Sequence, residues 1–227
     1  VAELASDRLS ALAAQDSPWF LVASFWGPHQ AYYPSQLFAD RVDPQRIPRY
    51  PSFDDDLHGR PFRHFLHRDF HHVGARQWTH WDIWQLVLAR AYAQGLQTDA
   101  AIGRLLDRLD ETGQANDTIV VMCADHGDAV ASHGGLWDKA STMTEEVMRV
   151  PLVIRWPGRL EAGQTVDTPV SNMDVTATVL EAAGVCGQKH EDSTSLLPLC
   201  QRGASTNVHG GQVICEHNGH GEDILQR

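Results

Sequence analysis

The sequence predicts an α/β protein, on three observations. Residues 118–124 (Thr118-Ile119-Val120-Val121-Met122-Cys123-Ala124) are β-branched and apolar, the pattern of a strand buried on both faces. Residues 150–156 form a second such run, closed by Pro157-Gly158. Segments with apolar residues at helical spacing flank both, and strands alternating with helices build layered α/β domains.

The elements follow in order. Leu4, Ala5, Leu9, Leu12 and Ala13 give an amphipathic helix over 2–13, broken by Asp16-Ser17-Pro18. The short apolar run 19–25 reads as a buried strand, ended by Gly27-Pro28. Residues 34–63, punctuated by Pro34, Pro44, Pro48, Pro51 and Pro61, read as loop. With the His- and Arg-rich stretch after it, this makes a long substrate-side loop insertion over 34–80. A long helix is predicted over 82–110, with Gly113 as its stop. Another runs from a cap at Ser171 or Asn172 to about Ala183, with Gly184 just beyond. The last 40 or so residues are irregular.

The 227 residues carry a formal charge of −11, and this acidity excludes broad nucleic-acid binding, which needs a basic face. No apolar run approaches the ~20 residues of a membrane-spanning helix. The start at Val1 shows no basic stretch followed by an apolar one. Four cysteines (Cys123, Cys186, Cys200, Cys215) show neither C-x-x-C nor zinc-ribbon spacing. Cys123 reads as a small buried hydrophobe.

The chemistry concentrates at Asp125-His126-Gly127-Asp128, directly after the run 118–124. Ligands of open α/β sheets gather at the carboxyl ends of strands. A carboxylate beside an imidazole there can serve one cation, and Gly127 lets the chain bend. The alternative is that Asp125 caps a turn and His126 is an ordinary surface residue. The continuation favours a site: Ser132-His133-Gly134-Gly135-Leu136-Trp137-Asp138-Lys139, then Glu145-Glu146-Val147-Met148-Arg149-Val150-Pro151-Leu152. Upstream, Gly27-Pro28-His29 places a histidine past the end of another predicted strand. Two strand ends then converge, with His29, Asp125, His126 and Lys139 at the rim of one site.

These segments, in this order and with Pro169 to Leu180 after them, resemble the sulfatase family of the alkaline phosphatase superfamily. The resemblance runs from about residue 19 to 184. It implies an alkaline-phosphatase-like fold, a mixed central sheet flanked by helices, incomplete here at its N-terminus. It implies hydrolysis of a sulfuric ester, commonly on a sulfated glycan or another small sulfate ester. The family uses a divalent cation, usually calcium, and a formylglycine made from Cys or Ser in C/S-x-P-x-R. By resemblance, Asp125 and His126 are metal ligands, Lys139 binds the sulfate or its bridging oxygen, and His29 contacts the sulfate or protonates the leaving alcohol. A cation, an ammonium and an imidazolium suit the charge that develops there.

Two departures stand out. No C/S-x-P-x-R motif occurs, and the family's early Asp-Asp pair has no counterpart before the first strand; Asp54-Asp55-Asp56 comes too late. The chain therefore reads as the middle and C-terminal part (1–227) of one sulfatase catalytic domain, inactive alone, with the formylglycine expected upstream. Second, His126 stands where many relatives have Asn. Calcium prefers oxygen and imidazole suits manganese better, so calcium stays first and manganese open. Two rivals remain: a phosphodiesterase or phosphonate monoester hydrolase of the same superfamily, and a non-catalytic binding protein on this fold. Localisation and oligomeric state stay open, with a periplasmic or secreted setting compatible.

Several residues carry two readings. His133 either donates to the substrate or caps the Gly134-Gly135 turn. The histidines between His58 and His80 line a substrate entrance or a solvated surface; His67 and His71 are at i, i+4, but Arg68 after His67 breaks the H-E-x-x-H pattern. Arg149 ties its strand to a carboxylate. Asp99 and Asp107 belong to a solvated helix face or make a helix-packing hydrogen bond. Trp78, Trp81 and Trp84 read as core. His217, Asn218 and His220 approach the substrate pocket.

Overall fold

A computed structural model describes residues 1–72, 80–139, 142–185, 192–201 and 208–216, with the backbone alone at 67 and 69–72. Trp78, Cys186, His217, Asn218, His220 and the side chains of His67 and His71 lie outside the described residues. The chain divides into two units. The first comprises Val1–Thr112 and His126–Arg149, with a terminal stretch outside the described residues; the second comprises Gly113–Asp125 and Val150–Asn218.

In the first unit, helix α1 (Ala2–Ala13) buries Ala5, Leu9 and Leu12 and packs on the long helix α4 (Trp81–Glu111). Helix α4 ends at Thr112, whose amide returns to the Arg108 carbonyl, and Gly113 follows at φ +73°. The predicted loop 34–63 needs correction, because it carries regular turns. Helix α2 (Gln36–Ala39) packs on α4, and 3-10 turns form at Pro44–Arg46 and Pro51–Asp54. Proline opens both 3-10 turns because its fixed φ suits a first helical position and its missing N–H is not needed there. Helix α3 (Phe62–His72) follows. Between them, Ile47 and Phe53 reach the core formed with Trp84, Leu88, Ala89 and Ala131. Trp81 packs against this core and Trp84 is fully buried, so both tryptophans are core. Asp99 and Asp107 lie exposed on α4.

The run 19–25 forms no ladder with any described residue, contrary to the strand expected there. Its burial still alternates: Leu21, Ala23 and Phe25 are partly covered, while Phe20 and Val22 stand 71% and 69% exposed. The side chains keep a strand's period of two, but backbone pairing needs a second strand.

In the second unit, β1 (Val120–Cys123) pairs antiparallel with β2 (Leu152–Arg155), Val121 opposite Ile154 and Met122 opposite Val153. These are the two strands among the described residues. Leu152 and Ile154 pack on Leu196, Leu199 and Val208. Met122, Cys123 and Val153 are exposed, which corrects the reading of Cys123 as buried. A strand covered on both faces needs more neighbours than β1 has among the described residues.

The helix Asn172–Ala182 is closed at its start by a capping box: Ser171 Oγ accepts from the Met173 amide and the Asp174 carboxylate accepts from the Ser171 amide. Asp174 is fully buried and also accepts from the Thr194 amide at 2.8 Å and from His209 Nε2 at 2.9 Å.

Candidate active site

Helix α4 positions the first functional loop. The buried Gln94 donates from Nε2 to the His29 carbonyl at 3.1 Å and accepts at Oε1 from the Tyr33 amide at 2.9 Å. Gln97 Oε1 accepts from the Ser35 amide at 2.8 Å. A β-carbon on Gly27 would stand 3.1 Å from both Gln94 Nε2 and Thr98 Oγ1, so only glycine lets the loop run this close to the helix without a shift.

The second segment, 126–139, is held by its own backbone and by its neighbours. The Gly127 amide donates to the Val147 carbonyl at 2.8 Å. A β-carbon on Gly127 would fall 1.9 Å from the Glu146 carbonyl oxygen. Close approach, rather than a left-handed bend, is therefore what requires glycine here: Gly127 is absent from the positive-φ residues. Ala129 and Ala131 donate to the Asp138 and Leu136 carbonyls and close the return toward Lys139.

These two segments meet. Lys139 Nζ lies 2.8 Å from His29 Nε2, although the residues are 110 positions apart, and 2.9 Å from Asp138 Oδ1. His29 Nδ1 faces the Gln30 carbonyl oxygen. The arrangement that satisfies both contacts has the His29 proton on Nδ1 and a bare Nε2 accepting from the ammonium. An ammonium has three N–H groups; two are engaged with described residues and one remains for an incoming oxygen. Burial by itself would raise the Asp138 carboxyl, but the Gln30 amide and then the Lys139 ammonium outweigh it and hold it down at about 2. Asp138 is therefore a standing counter-charge to Lys139.

His126 lies edge-on to His29, with ring centroids 5.7 Å apart. Its Nδ1 faces the Gly127 carbonyl at 2.8 Å. Asp128 accepts from the Tyr32 hydroxyl at 3.0 Å and from the Val130 amide at 2.9 Å. Burial raises the Asp128 carboxyl; burial and then the Asp128 charge raise the Tyr32 phenol well beyond its ordinary range. Asp125 is exposed and closes the segment 113–125 of the second unit.

His133 is set between two carboxylates. Its Nδ1 lies 3.1 Å from Asp55 Oδ2 and its Nε2 3.1 Å from Glu146 Oε2. Both nitrogens face carboxylates, and a carboxylate accepts, so the ring is placed as a donor to anionic oxygen. The His133 ring and then the Leu57 amide hold the Asp55 carboxyl below the usual carboxylate range. Arg149 is exposed and makes no ion pair with a described residue.

Among the described residues, no group of three or more His, Cys, Asp or Glu side chains converges as a cation site. Asp125 and His126 would offer two donors, whereas calcium takes six to eight oxygens. These residues alone do not make a complete metal centre.

Sequence reasoning passed over Gln94 and Asp138. Asp138 was legible as a carboxylate touching the candidate lysine in sequence. Gln94 had a fainter signal, an amide among the alanines and leucines of the α4 stripe.

A Sulfatase family profile matches residues 1–185, and the chain belongs to the sulfatase family. It is 30% identical over 216 residues to the choline-sulfatase of Rhizobium meliloti, covering 88% of this chain and 40% of that protein. The chain thus spans well under half the length of that curated relative. Among solved structures, it resembles a protein captured with its substrate D-glucosamine-2-N,6-O-disulfate, at a TM-score of 0.72 and 21% identity over 89% of this chain and 52% of that one. It resembles the phosphonate monoester hydrolase of Agrobacterium radiobacter at a TM-score of 0.73 and 22% identity, over 89% of this chain and 43% of that one. The fold is accordingly alkaline-phosphatase-like, seen here as a helix-rich α/β part with a small sheet. Sulfatases as a family work with a divalent cation and a formylglycine.

Proposed function

We propose that the full-length protein hydrolyses sulfate esters, with Lys139 and His29 at the reacting group. The observation that carries this reading is the Lys139 Nζ to His29 Nε2 contact of 2.8 Å, made across 110 positions. In the proposal the free N–H of Lys139 binds a sulfuryl or bridging oxygen. The Lys139–His29 pair holds one shared proton beside the leaving alkoxide, where acid assistance lowers the barrier. Asp125 and His126 supply part of a cation site, calcium first and manganese second, whose other ligands come from outside these residues. The nucleophile is a formylglycine, which no C/S-x-P-x-R motif of this chain encodes. The substrate class is a sulfated carbohydrate, a reading supported by the disulfated glucosamine held by the structural neighbour.

The test is turnover of p-nitrophenyl sulfate, glucosamine 6-sulfate and the monoester p-nitrophenyl phenylphosphonate by the full-length protein and by the 227-residue chain. Sulfate release by the former alone is the expected result. Preference for the phosphonate would move the protein to the phosphonate hydrolases, and no turnover of any ester would favour a binding protein.

A further inference from the structure

We infer that Gln94, on helix α4, is a positioning residue for His29. The inference rests on the sulfate-ester reading above and goes beyond it by locating what aims the histidine.

A buried glutamine amide needs partners for its oxygen and its N–H groups. Gln94 finds them on the backbone at both ends of one turn: its amide N–H meets the His29 carbonyl at 3.1 Å and its oxygen meets the Tyr33 amide at 2.9 Å. The amide thus acts on the loop as a neighbouring strand would, with one donor and one acceptor. It belongs to the long helix, whose Trp84, Leu88, Ala89 and Ala93 are buried, so the loop takes its position from an element anchored in the core of the first unit. The absent β-carbon at Gly27, which would press on Gln94 at 3.1 Å, shows that the loop is drawn down on this residue. His29 Nδ1 is occupied by the next carbonyl, so the ring direction follows the backbone that Gln94 holds. The 2.8 Å contact with Lys139 is set from this side by the amide clamp and from the other by Asp138.

The test compares Gln94→Glu and Gln94→Met with wild type and His29→Ala in the full-length protein. Glu keeps the acceptor for the Tyr33 amide and loses the donor to the His29 carbonyl; Met loses both. A displaced acid–base group harms substrates whose leaving alcohol needs a proton more than those whose leaving group does not. On p-nitrophenyl sulfate, kcat is expected to change by less than about 3-fold, and on a sugar sulfate to fall about 30- to 100-fold, with KM nearly unchanged in both. His29→Ala should show the same split, more strongly. Equal falls on both substrates in the Gln94 variants, or no fall, would overturn the inference. If His29→Ala itself shows no split, it is the role given to His29 that fails. A readout without turnover is the 15N ring spectrum of His29, assigned by difference from His29→Ala. Folded Gln94→Glu with an unchanged His29 ring signal also overturns the inference, whatever the protein hydrolyses.

Discussion

Asp174 in the second unit and Asp138 in the first are both held by donors, but of different kinds. Asp174 is fully buried and accepts from the Ser171 and Thr194 amides at 2.7 and 2.8 Å and from His209 at 2.9 Å. Two of its three partners are backbone and cannot leave without unfolding the helix start or the following segment. Asp138 is partly open and is met by two side chains, the Gln30 amide and the Lys139 ammonium, and by the Lys139 backbone amide. One of those partners still has an N–H to spare. A carboxylate held mainly by the backbone of distant segments joins those segments; one that also holds a neighbouring ammonium keeps a charged group in place and usable.

The largest effect expected from this contrast is on Asp174. Asp174→Ala removes a fully buried acceptor from two part-buried amides and a histidine, and should cost about 3–5 kcal/mol by urea titration of the full-length protein. A loss under about 1 kcal/mol would erase the distinction. On the other side, Lys139→Ala should lower kcat/KM for a sulfate ester by about 100- to 1,000-fold while leaving the urea midpoint nearly unmoved. A large midpoint shift would make Lys139 structural, like Asp174.

A smaller effect sharpens the geometry of the first unit. Gly127→Ala places a carbon against the Glu146 carbonyl, and the shift it forces should cost about 1–3 kcal/mol in the same titration. The smallest effect is read with pH. The Asp138 carboxyl sits at about 2 in the folded protein against an ordinary 3.8. Its folded value is depressed, so its contribution is present above 3.8 and is lost as pH falls toward 2. Asp138→Asn should flatten the part of acid destabilisation that falls between those values, measured by circular dichroism. Parallel wild-type and variant curves would show that Asp138 contributes nothing there.

Elements with local causes were legible. Helix α1 and helix α4 follow from apolar spacing, and the helix at 172–182 follows from Ser171 three positions before Asp174, with Gly184 beyond its end. The choice of His29 and Lys139 came from motif order, and their contact came from the fold. Elements that depend on distant partners were misread. The run 19–25 has the composition of a strand without a described partner, and Cys123 lies on a strand whose outer face no described residue covers. The partners of His133 come from positions 55 and 146, and no local pattern around 133 names either.

The sequence by itself determined helices α1 and α4, the capped helix at 172–182, the two strand segments and the residue types of the candidate site. Each depends on neighbours within a turn or two of chain, where spacing dictates which side chains can touch. The tertiary structure alone decided that a glutamine on α4 holds the His29 loop, that Asp138 is the counter-charge of Lys139, and that His133 is taken up by two carboxylates. Those pairings join segments tens of residues apart, and a hydrogen bond of about 3 Å exists only once packing has brought both partners to one place.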